Sequence, residues 1–137
     1  MHPRSTLIEA VEAALVAKGL TVIDATDAVQ EEDVPCVVIE EREEQMASFD
    51  ETLGRRATTL RRRLRLVVFA FGVSKRARDD IAQRVEECVV PAAVGAGFQC
   101  VLVGVGYSRS KLGTSAAAFV AGQFYDAEYM TPTYAPA

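Results

Sequence analysis

The stretch LRRRLRLVVFAF, residues 60–71, decides how this chain folds. Read with a period of two, it sets Leu60, Arg62, Leu64, Leu66, Val68 and Ala70 on one face, and Arg61, Arg63, Arg65, Val67, Phe69 and Phe71 on the other. That alternation is a strand. Its C-terminal half is apolar on both faces, as suits a strand between covering layers, whereas its N-terminal half carries arginine and cannot be buried in the same way. At about 3.3 Å per residue the stretch spans roughly 40 Å, close to the width of a compact domain of this length, whose radius of gyration is about 14 Å. The arginine end therefore lies at the rim of the body or beyond it.

Upstream, residues 36–40 form a second strand, and Pro35 is tolerated at its start because no ladder bond is needed there. This strand turns acidic through Glu40, Glu41, Glu43 and Glu44 as it leaves the body. If it pairs with residues 60–71 as an antiparallel hairpin, the acidic end of one strand lies against the basic end of the other. Exposed cross-strand ion pairs contribute only about 0.2–1 kcal/mol each, so these charges select register and partner more than they stabilise. Residues 45–59 between the strands are too many for a hairpin turn, and long loops in compact domains are functional or disordered. Met46, Phe49 and Leu53 recur there at roughly helical spacing, ahead of Gly54, Arg55 and Arg56. Two readings stand: a solvated loop with apolar residues folded back on the body, or a docking segment for a partner.

The remaining elements follow from caps and periodicity. Thr6 and Glu9 have the form of a capping box. Leu7, Ile8, Val11, Ala14 and Leu15 share one helical face, and Gly19 supplies a left-handed stop, which predicts a helix over 6–18. Residues 20–23 make a short strand, and 24–33 an acidic loop. After Gly72, Ser74 caps a second helix with Asp79 and Asp80 near its positive end. Ile81, Val85, Cys88 and Val89 are its buried stripe, Pro91 ends or kinks it, and 92–97 is a loose turn. Residues 99–107 are a strand, 108–115 a polar turn, 116–129 a long closing strand with Phe119, Phe124, Tyr125 and Tyr129, and 131–137 an extended tail. The order α-β-β-β-α-β-β predicts an α+β fold in one domain spanning 1–137. Its mixed sheet has four or five strands, two helices, a long β-hairpin arm and a β-α-β crossover through the second helix.

Chemistry is sparse. The chain has 137 residues, half of them apolar and a quarter charged, as in an ordinary globular domain. Its net charge of −4 gives no general attraction to nucleic acid. No apolar run approaches the roughly 20 residues of a membrane span, and no targeting signal is visible, so a protein assembled in the cytoplasm and free of membrane is expected. Cys36, Cys88 and Cys100 are odd in number and each sits in an apolar run, the pattern of free thiols in a reducing compartment. The single histidine, His2, supports no general base or metal cluster. In Gly104-Val105-Gly106 the third glycine of a dinucleotide fingerprint would fall at Arg109, and a strand follows instead of a helix. The acids of 24–33 read as a solvated surface. The arginines of 55–65 lack stacking aromatics, and the neighbouring acids would repel a phosphate backbone. No enzyme activity, cofactor or metal is expected. A two-signed surface suits self-association, and unlike patches that meet head to tail make rings or filaments.

The N-terminal amphipathic helix, the strand DVPCVVIEE after an acidic loop, the long loop, the arginine-led RRRLRLVVFAFG strand, the single following helix and the closing pair ending in FYDAEYMTPTY resemble the tail terminator (tail completion, or minor tail) proteins of long-tailed bacteriophages. The resemblance covers nearly the whole chain as an order of elements. It implies a structural virion protein that forms a hexameric ring on the head-proximal end of the tail tube. Such a ring stops tube polymerisation and meets a head-completion or connector protein, and DNA only passes through its lumen. On that basis Glu40, Glu41, Glu43, Glu44, Arg61, Arg63 and Arg65 are candidates for subunit contacts or the lumen wall. Met46, Phe49, Leu53, Arg55 and Arg56 are candidates for docking on the tube. A neighbouring neck component, such as a head-closure ring, and a small cytosolic ligand-binding or regulatory domain are the competing expectations.

Overall fold

The computed structural model describes residues 3–24, 29, 33–49, 59–112 and 116–132; within these, side chains are described for all but 24, 43–49, 59–60, 110–112, 116–117 and 131–132. The elements run α1 (Pro3–Ala17), β1 (Val22–Asp24), β2 (Cys36–Phe49), β3 (Thr59–Gly72), α2 (Lys75–Gly95), β4 (Gln99–Leu112) and β5 (Ala116–Pro132). The expected α+β order is therefore present, with two helices and five strands in a mixed sheet.

The strands stand in the order β1-β2-β3-β5-β4, with β1 parallel to β2 and every other neighbouring pair antiparallel. Thus β3 and β4 run the same way, joined through α2, with β5 returning between them. Both helices lie on one face. The core there joins Leu7, Val11 and Leu15 of α1 and Ile81, Val85, Val89 and Ala93 of α2 to Leu64, Leu66, Val68 and Ala70 of β3, along with Tyr125, Ala127 and Tyr129 of β5. The face predicted for residues 64–70 is thus the core face. Fully burying each of these aliphatic side chains is worth about 1.5–3 kcal/mol, which is why this stripe sets the strand's register: a slip of one residue would turn it outward.

Several boundaries differ from the sequence reading. α1 starts at Pro3, so Thr6 lies inside the helix and is not its N-cap; proline suits a first turn because its φ is preset and its missing N–H had no partner to lose. Gly19 takes φ +82, as the left-handed stop requires, with its amide bonded to the Val16 carbonyl at 2.9 Å. Ser74 caps α2, its hydroxyl accepting from the Ala77 amide at 3.1 Å. α2 then runs through Pro91 to Gly95 instead of loosening at residue 92. Pro91 sits on the exposed side, while Val89 and Ala93 on either side of it are fully buried and hold the helix to the sheet. β4 continues from the expected end at 107 to Leu112, paired throughout with β5. β5 itself reaches Pro132, which takes the first residues of the expected tail into the sheet.

The largest correction concerns residues 45–59. Residues 45–49 are strand, Met46 opposite Arg62 and Phe49 opposite Leu60, so the helical spacing of Met46 and Phe49 is not realised. Pairing with an already specified β3 outweighs the weak strand preference of this segment. Leu53, Arg55 and Arg56 lie outside the described residues.

Candidate functional site

The face of the sheet away from the helices is divided along its length. At the α2 end of β3 it is apolar, with Val67 opposite Phe124, Phe69 opposite Gly122, and Phe71 opposite Val120. Toward the other end the alternation brings up Arg65 opposite Asp126 and Arg63 opposite Glu128. On the β2 side the backbone register sets Glu43 against Arg65 and Gln45 against Arg63. The hairpin predicted from opposite charges is formed, acidic end against basic end.

The side chains choose the other neighbour. Arg65 forks onto Asp126, its Nε donating to Oδ1 at 2.9 Å and its Nη2 to Oδ2 at 3.1 Å. Arg63 donates from Nε and Nη2 to a single oxygen of Glu128, at 3.0 and 2.8 Å. These are charge-assisted bonds of good geometry. The Asp126 side chain is only 13 % exposed, so the first pair is the better shielded; Glu128 is 21 % exposed. Glu40 engages Arg42 at 3.4 Å, and Glu41 engages Arg4 of α1 at 3.2 Å. Arg61 is exposed. The acids that hold Arg63 and Arg65 were missed in the sequence, yet a signal was there: in QFYDAEY, Phe124, Asp126 and Glu128 alternate as Val67, Arg65 and Arg63 do, hydrophobe against hydrophobe and acid against base.

Beside this ladder, where β4 begins, a shallow cavity of about 360 Å³ is lined by Arg63, Gln99, Cys100, Val101, Asp126 and Glu128. A second, of about 300 Å³, lies next to it against Arg61, Gly97, Tyr129 and Met130. Burial, with Asp126 adding to it, pushes the Cys100 thiol up to about 11, so at neutral pH it is a protonated, weak nucleophile. Cys36 is likewise pushed up to about 11 by burial and, to a lesser degree, by Asp33. Among the described residues no three His, Cys, Asp or Glu side chains gather into a metal site, and no helix is long and apolar enough to cross a membrane. What the ladder can do is present paired charges, edge-on, to another protein surface.

No protein-family model matches the chain, and no curated protein matches it either.

Proposed function

We propose that this protein is a structural virion component, a tail terminator whose hexameric ring caps the head-proximal end of a phage tail tube, stops its growth and offers a surface to a head-completion or connector protein. The observation that carries the reading is the sheet whose helices, among the described residues, lie on one face, while its other face is apolar at one end and a two-signed ladder at the other. Such a face is built to lie against protein, and the order of elements agrees with the resemblance drawn from the sequence. Because Arg63 and Arg65 already hold Glu128 and Asp126 within the chain, their role in this reading is to fix the shape and charge pattern of the face. The free partners for contact between copies are then sought elsewhere on the sheet.

Light scattering across a concentration series, at low and moderate salt and with purified tail tubes added, tests the proposal. A particle of about six times the monomer mass, or a monomer that joins the tube end, supports it. A chain that remains monomeric with tubes present overturns it. Binding to portal-bearing heads instead of tubes would assign the chain to the head-closure side of the neck.

The cavity of about 360 Å³ favours a second reading, a small ligand-binding domain, since sites for small molecules start near 300 Å³. Polar and apolar groups share its lining, and both of its acids already pair with arginine. Saturable binding of a small charged metabolite that fails in an Arg63→Ala variant would establish this reading in place of the first.

A further inference from the structure

Both outer edges of the sheet are unusual. An exposed edge strand offers unpaired backbone donors and acceptors to any passing strand, and proteins blunt such edges with charge, proline or brevity. β4 has none of these along residues 99–108, where a bulge between Leu102 and Gly104 is its one irregularity, and its Val101, Val103, Val105 and Tyr107 are 56, 48, 43 and 65 % exposed. At the opposite edge, β1 covers β2 only at Val37, Val38 and Ile39. Beyond Ile39, residues 40–49 of β2 have no strand on their outer side among the described residues.

We infer that the outer edge of β4 in one copy pairs antiparallel with residues 40–49 of β2 in the next copy, joining the sheets of successive subunits head to tail. This rests on the ring reading above and names the surfaces that make the ring. Direction follows from the topology: β2 and β4 run opposite ways within the sheet, so a sheet that continues from copy to copy brings them together antiparallel. Register follows from β1, which occupies the place beside Ile39 and stops an incoming strand at Glu40. With Leu112 set opposite Glu40 and residues counted outward, Arg42 and Ala47 being the extra residues at the two bulges of β2, Lys111 falls opposite Glu41, Arg109 opposite Glu44, Tyr107 opposite Met46 and Val105 opposite Phe49. The intervening set puts Ser110 opposite Glu43 and Ser108 opposite Gln45. Every base on β4 meets an acid and no like charges face each other, a match that cross-strand pairing rewards. Arg109 is exposed and rests on the Phe119 ring, 4.9 Å from its centroid, which steadies it near the edge. Pairing β4 with β4 of a second copy would close a two-fold dimer, leave the acidic edge of β2 open and build no ring.

Hydrogen exchange on the full chain, below and above the concentration at which it assembles, tests the pairing. Residues 40–49 and 105–112 gain protection together on assembly if it is correct. Protection of β4 without β2, or assembly with neither protected, overturns it while leaving the ring itself standing; a chain that never assembles, with or without tubes, overturns both. Val105→Lys with Tyr107→Lys, at positions exposed enough to leave the fold intact by circular dichroism, should raise the assembly midpoint at least tenfold. Arg109→Glu should weaken assembly and Glu44→Arg in the same chain restore it. Failure of that restoration, with both chains folded, would overturn the register.

Discussion

The ring of Phe69 lies across Gly122, so that a Cβ built on Gly122 would stand 3.2 Å from Cε1 and 3.3 Å from Cδ1 of the phenyl group. A strand glycine leaves a gap in the sheet surface, and an aromatic on the neighbouring strand fills it. Phe69 is only half-buried, with the Arg42 guanidinium 5.9 Å from its centroid, so the ring can yield by the few tenths of an ångström that one methyl demands. Gly122→Ala should therefore cost under about 1 kcal/mol, because the lost freedom of the unfolded chain offsets the crowding. Gly122→Val, which displaces the ring outright, should cost about 1–3 kcal/mol. Urea denaturation of the two variants checks both.

Gly72 is the stricter position. A Cβ there would meet backbone of α2, the Arg78 amide nitrogen and, at 2.8 Å, the Arg78 Cα. Backbone cannot swing aside as a ring can. Gly72→Ala should force the start of α2 off the end of β3 and destabilise by about 1–3 kcal/mol, more than the same change at Gly122. A thermal melt of the two alanine variants side by side gives the ranking.

Arg65 and Asp126 form the better shielded rung of the ladder. A double-mutant cycle through Arg65→Ala and Asp126→Ala should give a coupling near 1 kcal/mol, the upper end for ion pairs that remain partly in water. The more exposed Arg63 and Glu128 should couple less. Replacing Arg61, Arg63 and Arg65 together by glutamate would set two of the new acids directly against Asp126 and Glu128, so that variant should lose stability as a monomer. Adding Asp126→Arg and Glu128→Arg should recover most of it. If the triple variant is as stable as the parent, the ladder carries no register information.

How far the sequence could be read depends on whether an element specifies itself. Residues 60–71 do so, because a buried aliphatic face alternates with a charged one, and both faces came out as the period of two requires. Residues 45–49 and 108–112 do not. QMASF and SRSKL have no alternation of their own, and they are strand because β3 and β5 beside them already are. The same holds for the partners of Arg63 and Arg65. Glu43 is in register on one side and Asp126 on the other, and choosing between them requires knowing that β5 lies inside β4, a consequence of how α2 carries the chain across the sheet. Charge along a hairpin is legible in sequence; strand order across a crossover is not.

Gln123 is the one buried polar side chain among the described residues, 2 % exposed in the layer between sheet and α2. Its Nε2 donates to the Ala82 carbonyl at 2.8 Å, and its Oε1 accepts from the hydroxyl of Tyr125, which is itself fully buried. The three groups satisfy one another, as buried polar atoms must. Tyr125→Phe removes the only donor shown to Oε1 and should cost about 1–3 kcal/mol. Tyr125→Phe combined with Gln123→Met, which removes the stranded amide as well, should be less destabilised than the sum of the two single changes. Additive single effects in denaturant titrations would show that the network is not coupled.

Stability should fall with alkali through the thiols, burial raising Cys88 in the same direction as Cys36 and Cys100. Cys36 and Cys100 titrate at about 11 in the folded chain against 9.0 for a free thiol, raised first by burial and then by Asp33 and Asp126 respectively. The sign follows from proton counting. Below pH 9 both states hold these protons and the thiols leave stability unchanged with pH. Between pH 9 and 11 the unfolded chain releases them while the folded chain keeps them, so the native state binds more protons and unfolding becomes easier as pH rises. Each thiol adds a slope of about 1.4 kcal/mol per pH unit at most. Tyr125, whose hydroxyl burial also pushes upward, extends the fall beyond pH 10. Urea midpoints at pH 8, 9, 10 and 11 should decline only above 9, and Cys100→Ala should flatten the decline by about one proton. In the parent at pH 8, both thiols should react with a disulfide reagent far more slowly than after unfolding, because thiolate is scarce at a site titrating near 11. Rapid labelling of Cys36 in the folded chain would show that its burial in the sheet does not shield it and would remove the basis for the predicted slope.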